Sequence, residues 1–391
     1  MYGVFLIWNV IAAAVWSPES PQSAEAPPTM APMPSTALPT PTTVAPILNI
    51  TAPNKTTGAP LSKKKVIGAP KLPAAPPARP VQSTLSCPAP RRATKAGETV
   101  YITLDDGPSM RSRKFLLQAL AQIQERITFY ESSYNICPQV GGLTLDCDDS
   151  AKTATIEAWA WTIKGGHMLA AHSDSHMYDP STGFCDYGKM STRNNVPPQY
   201  AACGTSPVSD IVRGALRFQE TMALADDALW ETTEERAAFD KQLHNMWTYA
   251  RLPCSNVWRM NGGYKADSGW GHETPAAEKA TRIGVADALF AGTNTCKPEA
   301  LQGQPWVTTG WDVEWSWKEL KDPQAEKCRM VQVIENEFSR KGRDPQRTST
   351  VVVLGHDYHY DTLEKATMMR DLIVELKLRG YAMDTIDNLK L

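Results

Sequence analysis

From residue 99 onward, apolar positions follow two alternating rhythms: short β-branched runs, and longer stretches with helical recurrence. Residues 99–104, TVYITL, run directly into Asp105-Asp106-Gly107-Pro108, which predicts a strand ending in a turn. Over 111–125, Phe115, Leu116, Ala119, Leu120 and Ile123 recur on one face, the pattern of an amphipathic helix. Residues 127–130 read as a second strand, 153–164 as a helix stopped by Gly165-Gly166, and 167–171 as a third strand. The stretch 177–245 is irregular at first, with Pro197-Pro198, and turns helical from about Val208. Residues 247–250 predict another strand, with further candidates at 288–291, 306–313 and 349–354, and 365–379 a closing helix. No internal repeat is present. Strand–helix alternation of this kind implies an α/β architecture with a parallel sheet.

Ahead of residue 96 both rhythms vanish. Residues 3–16, GVFLIWNVIAAAVW, are apolar except for Asn9, too short for a comfortable bilayer span and the length of a secretory signal core. No Lys or Arg precedes this run, and Pro18 disfavours cleavage after Ser17. Segment 1–17 is therefore expected to be signal-like, with cleavage near Ala14 and retention as an anchor both open. Residues 18–90 hold 18 of the 30 prolines, mixed with Ala, Thr and Ser. That composition cannot bury enough apolar surface to offset its ordering entropy, so 18–95 is expected to be a disordered linker. One large domain, 96–391, remains.

Charge divides at the same place. The formal net charge is −2, yet residues 1–95 hold nine Lys/Arg against two Glu, which leaves −9 on the remainder. A domain this acidic lacks the clustered cations that phosphate backbones require, so nucleic acid is not an expected partner. Eight cysteines stand at 87, 137, 147, 185, 203, 254, 296 and 328, none in Cys-x-x-Cys spacing. An even number behind a signal-like start implies disulfides in a secreted, cell-surface or periplasmic protein, in one of 105 possible pairings.

The candidate chemistry sits where strands are predicted to end: Asp105-Asp106, His172 to His176, Arg251, Asp312 to Trp315, and His356-Asp357. In an α/β barrel that rim is where active sites are built. Adjacent carboxylates commonly cap a helix, but they also point in different directions, so one can hold a metal while the other takes a proton. His172 and His176, four apart, would on one helical turn offer both imidazoles to a single cation, although such a pair alone is more often structural. With the acidic pair upstream, they suggest a His-His-Asp site with room for water and substrate. Zinc is the default occupant, and cobalt, nickel or manganese suit the same donors. Arg251 alone reads as a surface arginine. His356-Asp357, ending the apolar run 350–354, suggests a positioned acid or base.

Taken in order, Thr103-Leu-Asp-Asp-Gly-Pro108, His172-Ser-Asp-Ser-His176, Arg251-Leu-Pro-Cys254, Trp311-Asp-Val-Glu-Trp315 and Leu354-Gly-His-Asp357 resemble the five motifs of polysaccharide deacetylases of the NodB-homology type, across roughly residues 99–390. The resemblance implies a distorted (β/α) barrel of seven or eight strands and metal-dependent removal of acetyl groups from carbohydrate. By motif position it implies Asp105 as general base, Asp106, His172 and His176 as metal ligands, Arg251 orienting the base, and His356 as the acid. Two departures stand out. The third motif usually ends in an aromatic residue whose N–H helps hold the oxyanion, whereas this chain has Cys254. The fourth usually presents Asp-Trp; here Glu314-Trp315 fits best, with Asp312 and Trp317 nearby as competing candidates for the acid's partner and the acetyl pocket. The expectation is a secreted deacetylase of an N-acetylhexosamine polysaccharide such as chitin or peptidoglycan, with no stable protein partner. The alternatives are an O-acetyl esterase on a glycan such as xylan, or a silent glycan-binding protein on the same fold. Most cysteines are expected to be paired, Cys254 being the one left free, if any, beside the substrate.

Overall fold

The segment Thr99 to Thr103, rich in β-branched residues, forms a buried central strand of the computed structural model, which describes residues 84–136, 149–176, 178–179, 183–185, 187, 196, 198–225, 227–267, 274–315 and 322–391. The signal-like segment, most of the linker, Cys137, Cys147 and Trp317 lie outside the described residues.

In chain order the elements are β1 (Thr99–Gly107), α1 (Arg113–Ala121), β2 (Thr128–Ser132), α2 (Asp149–Lys164), β3 (Met168–Ser173), the two-strand ribbon β4 (Tyr178–Asp179) and β5 (Gly183–Phe184), α3 (Pro207–Met222) and α4 (Thr233–Met246). There follow β6 (Tyr249–Ala250), a second ribbon β7 (Val257–Met260) and β8 (Gly263–Ala266), α5 (Ala276–Ala291), β9 (Val307–Thr308), β10 (Val313–Glu314), α6 (Pro323–Ser339), β11 (Thr350–His356), α7 (Leu363–Leu378) and β12 (Ala382–Asp384). Seven strands form one parallel sheet in the order β10-β11-β1-β2-β3-β6-β9, and β12 pairs with the start of β1. With helices packed around it, this is the distorted (β/α) barrel expected from the sequence.

Register turns that sheet into a scaffold for chemistry. Parallel pairing runs from Thr99 opposite Thr350 to Asp105 opposite His356, so the first and fifth motifs end side by side. Ala171 pairs with Ala250, which sets His172 beside Arg251. Tyr249 and Ala250 pair with Val307 and Thr308, which leads the fourth motif to the same rim. Each strand core is apolar and each C-terminal end polar, so burial of the cores lines up the motifs.

Several helix boundaries follow from local chemistry. Ser206 caps α3 by accepting from Ser209 N–H, with Pro207 just inside. Asp322 caps α6 through the N–H groups of Gln324 and Ala325. Gly292, at φ 72°, ends α5 in the left-handed conformation that glycine adopts without a Cβ clash.

The structure corrects three expectations. Residues 288–291 are the last turn of α5 and not a strand, because a four-residue apolar run looks the same in either setting. The single strand expected over 306–313 is instead two short ones, β9 and β10. The helical character expected from about Val208 is there, as α3 and α4 in the connection from β3 to β6. Finally, residues 84–95 belong to the domain. Cys87 is disulfide-bonded to Cys328, Ser86 N–H and Oγ–H donate to Glu375, and Thr94 Oγ1–H donates to the Arg379 carbonyl. The folded unit therefore reaches back at least to Ser86, ahead of 96. Among the described residues no helix is long and apolar enough to cross a membrane.

Candidate metal and acid–base site

β1 delivers two carboxylates to different partners, as their adjacency suggests. Asp105 accepts a hydrogen bond from Arg251 Nη1 at 2.8 Å. The same Nη1 donates to Thr103 Oγ1 at 2.7 Å, while Nε and Nη2 donate to the carbonyls of Thr309 and Gly310. Arg251 is fully buried, so its planar fork is locked and Asp105 is held by one oxygen. Asp106 follows at φ 62°, a left-handed conformation that costs about 1–3 kcal/mol for a residue with a Cβ. That turn aims its carboxylate at the histidines.

The imidazoles come from the end of β3 and the turn after it, not from one helical turn as the four-residue spacing suggests. His172 Nδ1 lies 2.8 Å from the Arg251 carbonyl, an acceptor, so Nδ1 carries the proton and Nε2 presents a lone pair. His176, at φ 56°, reverses the chain, and its N–H is held by Ser173 Oγ at 2.9 Å. Nε2 of His176 and of His172 stand 3.2 and 3.5 Å from Asp106 Oδ1. That oxygen is buried and has no hydrogen-bond partner. Donors bound about 2.0–2.1 Å from a tetrahedral cation lie roughly 3.3 Å apart, so these separations fit one divalent metal within the trio. Burial opposes ionisation of Asp106, but the imidazoles more than offset this and hold its carboxyl well below the usual range. Burial likewise opposes charge on His172, and Asp105 and Asp106 reverse the balance, raising its pKa.

A buried ionic layer supports the turn that carries His176. Asp174 pairs with Arg213 and Arg217 at 3.0 and 2.7 Å, and Asp210 accepts from Ser175 Oγ–H and from Arg213. Gly214 lets α3 approach that closely, since a Cβ there would lie 2.5 Å from the Ser173 carbonyl oxygen. On the other side, Arg113 bridges Glu131 and Asp357, both at 2.8 Å, and Asp357 accepts from Ser109 N–H. This ties the loop after the first motif to the fifth.

His356 faces the same cavity of about 450 Å³, together with Asp105, Asp106, His172, His176, Trp311 and Tyr358. Burial lowers its pKa, partly countered by Asp106 and Asp105. The Tyr358 ring lies 5.4 Å from that imidazole and is about half exposed, at the cavity mouth.

The remaining candidates divide. Cys254 lines the cavity, but it is bonded to Cys185 and not free. The two thiols are consumed, so the grouping of His176 with these cysteines offers no thiolate to a metal. Asp312 is 1 % exposed and outside the cavity. It accepts from Arg343 at 3.0 Å, Arg347 at 3.1 Å and Val352 N–H at 2.9 Å, which makes it a structural anchor of β10 against β11. Trp315 is fully buried, its Nε1–H on Glu326 and its ring 6.1 Å from Tyr360. Trp311, four residues earlier, is the tryptophan at the cavity wall. Glu314 ends β10 and is outside the cavity lining. Sequence reasoning does not assign Trp311, Tyr358, Cys185 or Arg282 to the site; only an aromatic beside a polar strand end offers a usable signal, at Trp311 and Tyr358.

No protein-family model matches the chain. The chain is 23 % identical over 339 residues to the chitin disaccharide deacetylase of Vibrio alginolyticus, covering 74 % of this chain and 71 % of that protein. Among solved structures it is similar to the chitin deacetylase of Colletotrichum lindemuthianum (15 % identity, 78 % of this chain, 90 % of that one, TM-score 0.38). Another is the catalytic domain of a peptidoglycan N-acetylglucosamine deacetylase from Eubacterium rectale (16 % identity, 75 % and 90 %, TM-score 0.35).

Proposed function

We propose that this chain, which resembles the NodB-homology polysaccharide deacetylases in its five ordered motifs and in its curated relative, is a metal-dependent hydrolase removing N-acetyl groups from a polysaccharide of N-acetylhexosamine. The observation that carries this reading is the division of labour at the end of β1. Asp106 Oδ1 converges with two imidazoles, while Asp105, one residue away, is held by Arg251 with its other oxygen unused by that guanidinium. The Vibrio relative's name gives a chitin disaccharide as its substrate, which supports N-acetylglucosamine units here.

Asp106, His172 and His176 would hold a divalent cation, zinc being the first choice, which when bound would supply Lewis-acid polarisation of the acetyl carbonyl and a more acidic water. The chain's own groups then act in sequence. Asp105 takes the proton of the attacking water, and Arg251 keeps its carboxylate aimed. The Cys254 N–H stabilises the developing oxyanion. His356 protonates the departing sugar nitrogen, because an amine leaves poorly unless protonated. Trp311 walls the acetyl group and Tyr358 meets the sugar at the mouth. The signal-like start and three disulfides among the described residues support a secreted or periplasmic setting.

The test is product chromatography from a panel of N-acetylated and O-acetylated glycans, with and without chelator. Chelator-sensitive acetate release from N-acetylglucosamine oligomers is the expected result. Release from acetylated xylan alone makes the enzyme an esterase, and inertness on every glycan leaves a binding protein.

A further inference from the structure

The third-motif loop is gripped from three directions, and all three grips come from residues outside the five motifs. Cys254 stands at φ 51°, left-handed, beside the cavity. Its carbonyl accepts from Arg282 Nη1 at 2.9 Å, from α5. The preceding carbonyl, of Pro253, accepts from the Tyr187 hydroxyl at 2.8 Å, and that hydroxyl in turn receives Ser255 Oγ–H at 2.9 Å. The Cys254 side chain is bonded to Cys185, two residues before Tyr187. The grips support one another, since the Arg282 guanidinium lies 5.5 Å over the Tyr187 ring and pairs with Glu278. Both Arg282 and Tyr187 are only 7 % exposed. The Cys254 N–H, meanwhile, donates to no acceptor among the described residues.

An oxyanion donor is effective only if it is fixed before charge develops, because reorganisation would otherwise consume its benefit. A left-handed residue relaxes unless its surroundings over-determine it. We propose that Arg282, Tyr187 and the Cys185–Cys254 disulfide are positioning groups that lock the Cys254 peptide so that its N–H meets the developing oxyanion. This rests on the deacetylase reading above. The clamp also accounts for a cysteine where the resemblance expects an aromatic: the bulk missing at 254 is supplied by the disulfide and by Tyr187.

The test uses the full chain loaded with zinc, as wild type, Tyr187→Phe, Arg282→Met, Arg282→Lys and Cys185→Ala/Cys254→Ala. The double variant keeps the N–H and removes only the tether. Expected for Tyr187→Phe and Arg282→Met is a fall in kcat of about ten- to a hundredfold on N-acetylglucosamine oligomers, with KM nearly constant and zinc content unchanged. The double variant should show the same split, and Arg282→Lys should recover part of the loss, because an ammonium can still donate to the Cys254 carbonyl. A second readout needs no turnover. In protein 15N-labelled at cysteine, the Cys254 amide resonance should shift as acetate is added to wild type and fail to shift in Arg282→Met. Unchanged kcat with a retained acetate shift in well-folded variants overturns the proposal. So does a loss of kcat that merely tracks lost zinc or lost folded fraction. A wild type inert on every glycan whose acetate shift still depends on Arg282 refutes the reaction and leaves the clamp standing.

Discussion

Among the carboxylates that pair with buried arginines, Asp105 at the cavity and Asp312 beside β10 are both offered by the sequence as site residues. Their surroundings differ in one respect that matters. Asp312 accepts from two guanidiniums and a backbone N–H, and does not line the cavity that Asp105 faces. Asp105 accepts from one guanidinium and lines the cavity, with His172 Nε2 3.8 Å from its second oxygen. A carboxylate whose acceptor capacity is used by the fold holds elements together; one that retains capacity facing a cavity can take a proton. Residue type and strand-end position alone do not separate the two.

The sharpest test of the comparison removes the neighbours that give Asp105 its role. His172→Ala/His176→Ala should abolish metal binding and, with it, all acetate release, read by metal analysis and product chromatography on the same preparation. Undiminished metal content places the cation elsewhere and breaks the contrast at its root. Next in size, Asp105→Asn should lower kcat by about 10²–10⁴-fold while metal content stays intact, because the amide keeps the shape and loses the basicity. Loss of metal together with activity makes Asp105 a ligand instead. Asp312→Asn should do the reverse. Leaving Arg343 and Arg347 without their buried counter-charge should cost about 3–5 kcal/mol of stability. Turnover per folded molecule should stay near wild type, as measured by urea unfolding alongside active-fraction kinetics.

How much of the fold and site is legible in the sequence follows the same physics. The ends of β1, β3 and β11 can be read because a β-branched run that breaks into charge marks the point where a strand leaves the core, and parallel register then brings those ends together. The roles of Asp312 and Trp315 cannot be read, since both flank the two-residue β10, which is too short for an alternating pattern to say which way its neighbours turn. The Cys185–Cys254 bond leaves no trace in spacing, because cysteines 69 apart meet only through the intervening fold. His172 and His176 are paired correctly by their spacing but for the wrong geometric reason. A strand end followed by a left-handed turn converges them as well as a helical turn does. Backbone strain marks the site more clearly than residue type. Of five non-glycine residues described at positive φ, Asp106, His176, Cys185 and Cys254 line one cavity, and only Gln124 lies elsewhere.

His356 extends the contrast to leaving groups. A general acid contributes about 10²–10⁴-fold where protonation of the leaving group limits the rate, and little where a phenolate departs unaided. His356→Ala should therefore depress acetate release from N-acetylglucosamine oligomers far more than cleavage of an activated aryl acetate by the same metal-loaded sample. Equal losses on both substrates assign His356 to holding the oxyanion or the fold.

The smallest effect concerns a histidine that the site does not use. His167 is buried behind the sheet, its Nδ1 accepting from Ile127 N–H at 3.2 Å and its ring edge-on to Phe129. Burial, reinforced by Arg113 and Arg126, pushes its pKa down from 6.5 to about 3. Between those values the unfolded chain binds a proton that the folded chain refuses. The stability due to neutral His167 is therefore complete above pH 6.5 and is lost as pH falls toward 3, by at most about 1.4 kcal/mol per pH unit. His167→Gln, whose side-chain carbonyl can still accept from Ile127 N–H, should flatten the slope of unfolding free energy between about pH 6 and 4 by up to that amount. A cation held by His172 and His176 would be released over the same acid range, so the comparison belongs in chelated protein, where only the difference between the two chains reports on His167. Parallel slopes in wild type and variant would show that His167 titrates like an exposed imidazole and that acid sensitivity resides at the cavity alone.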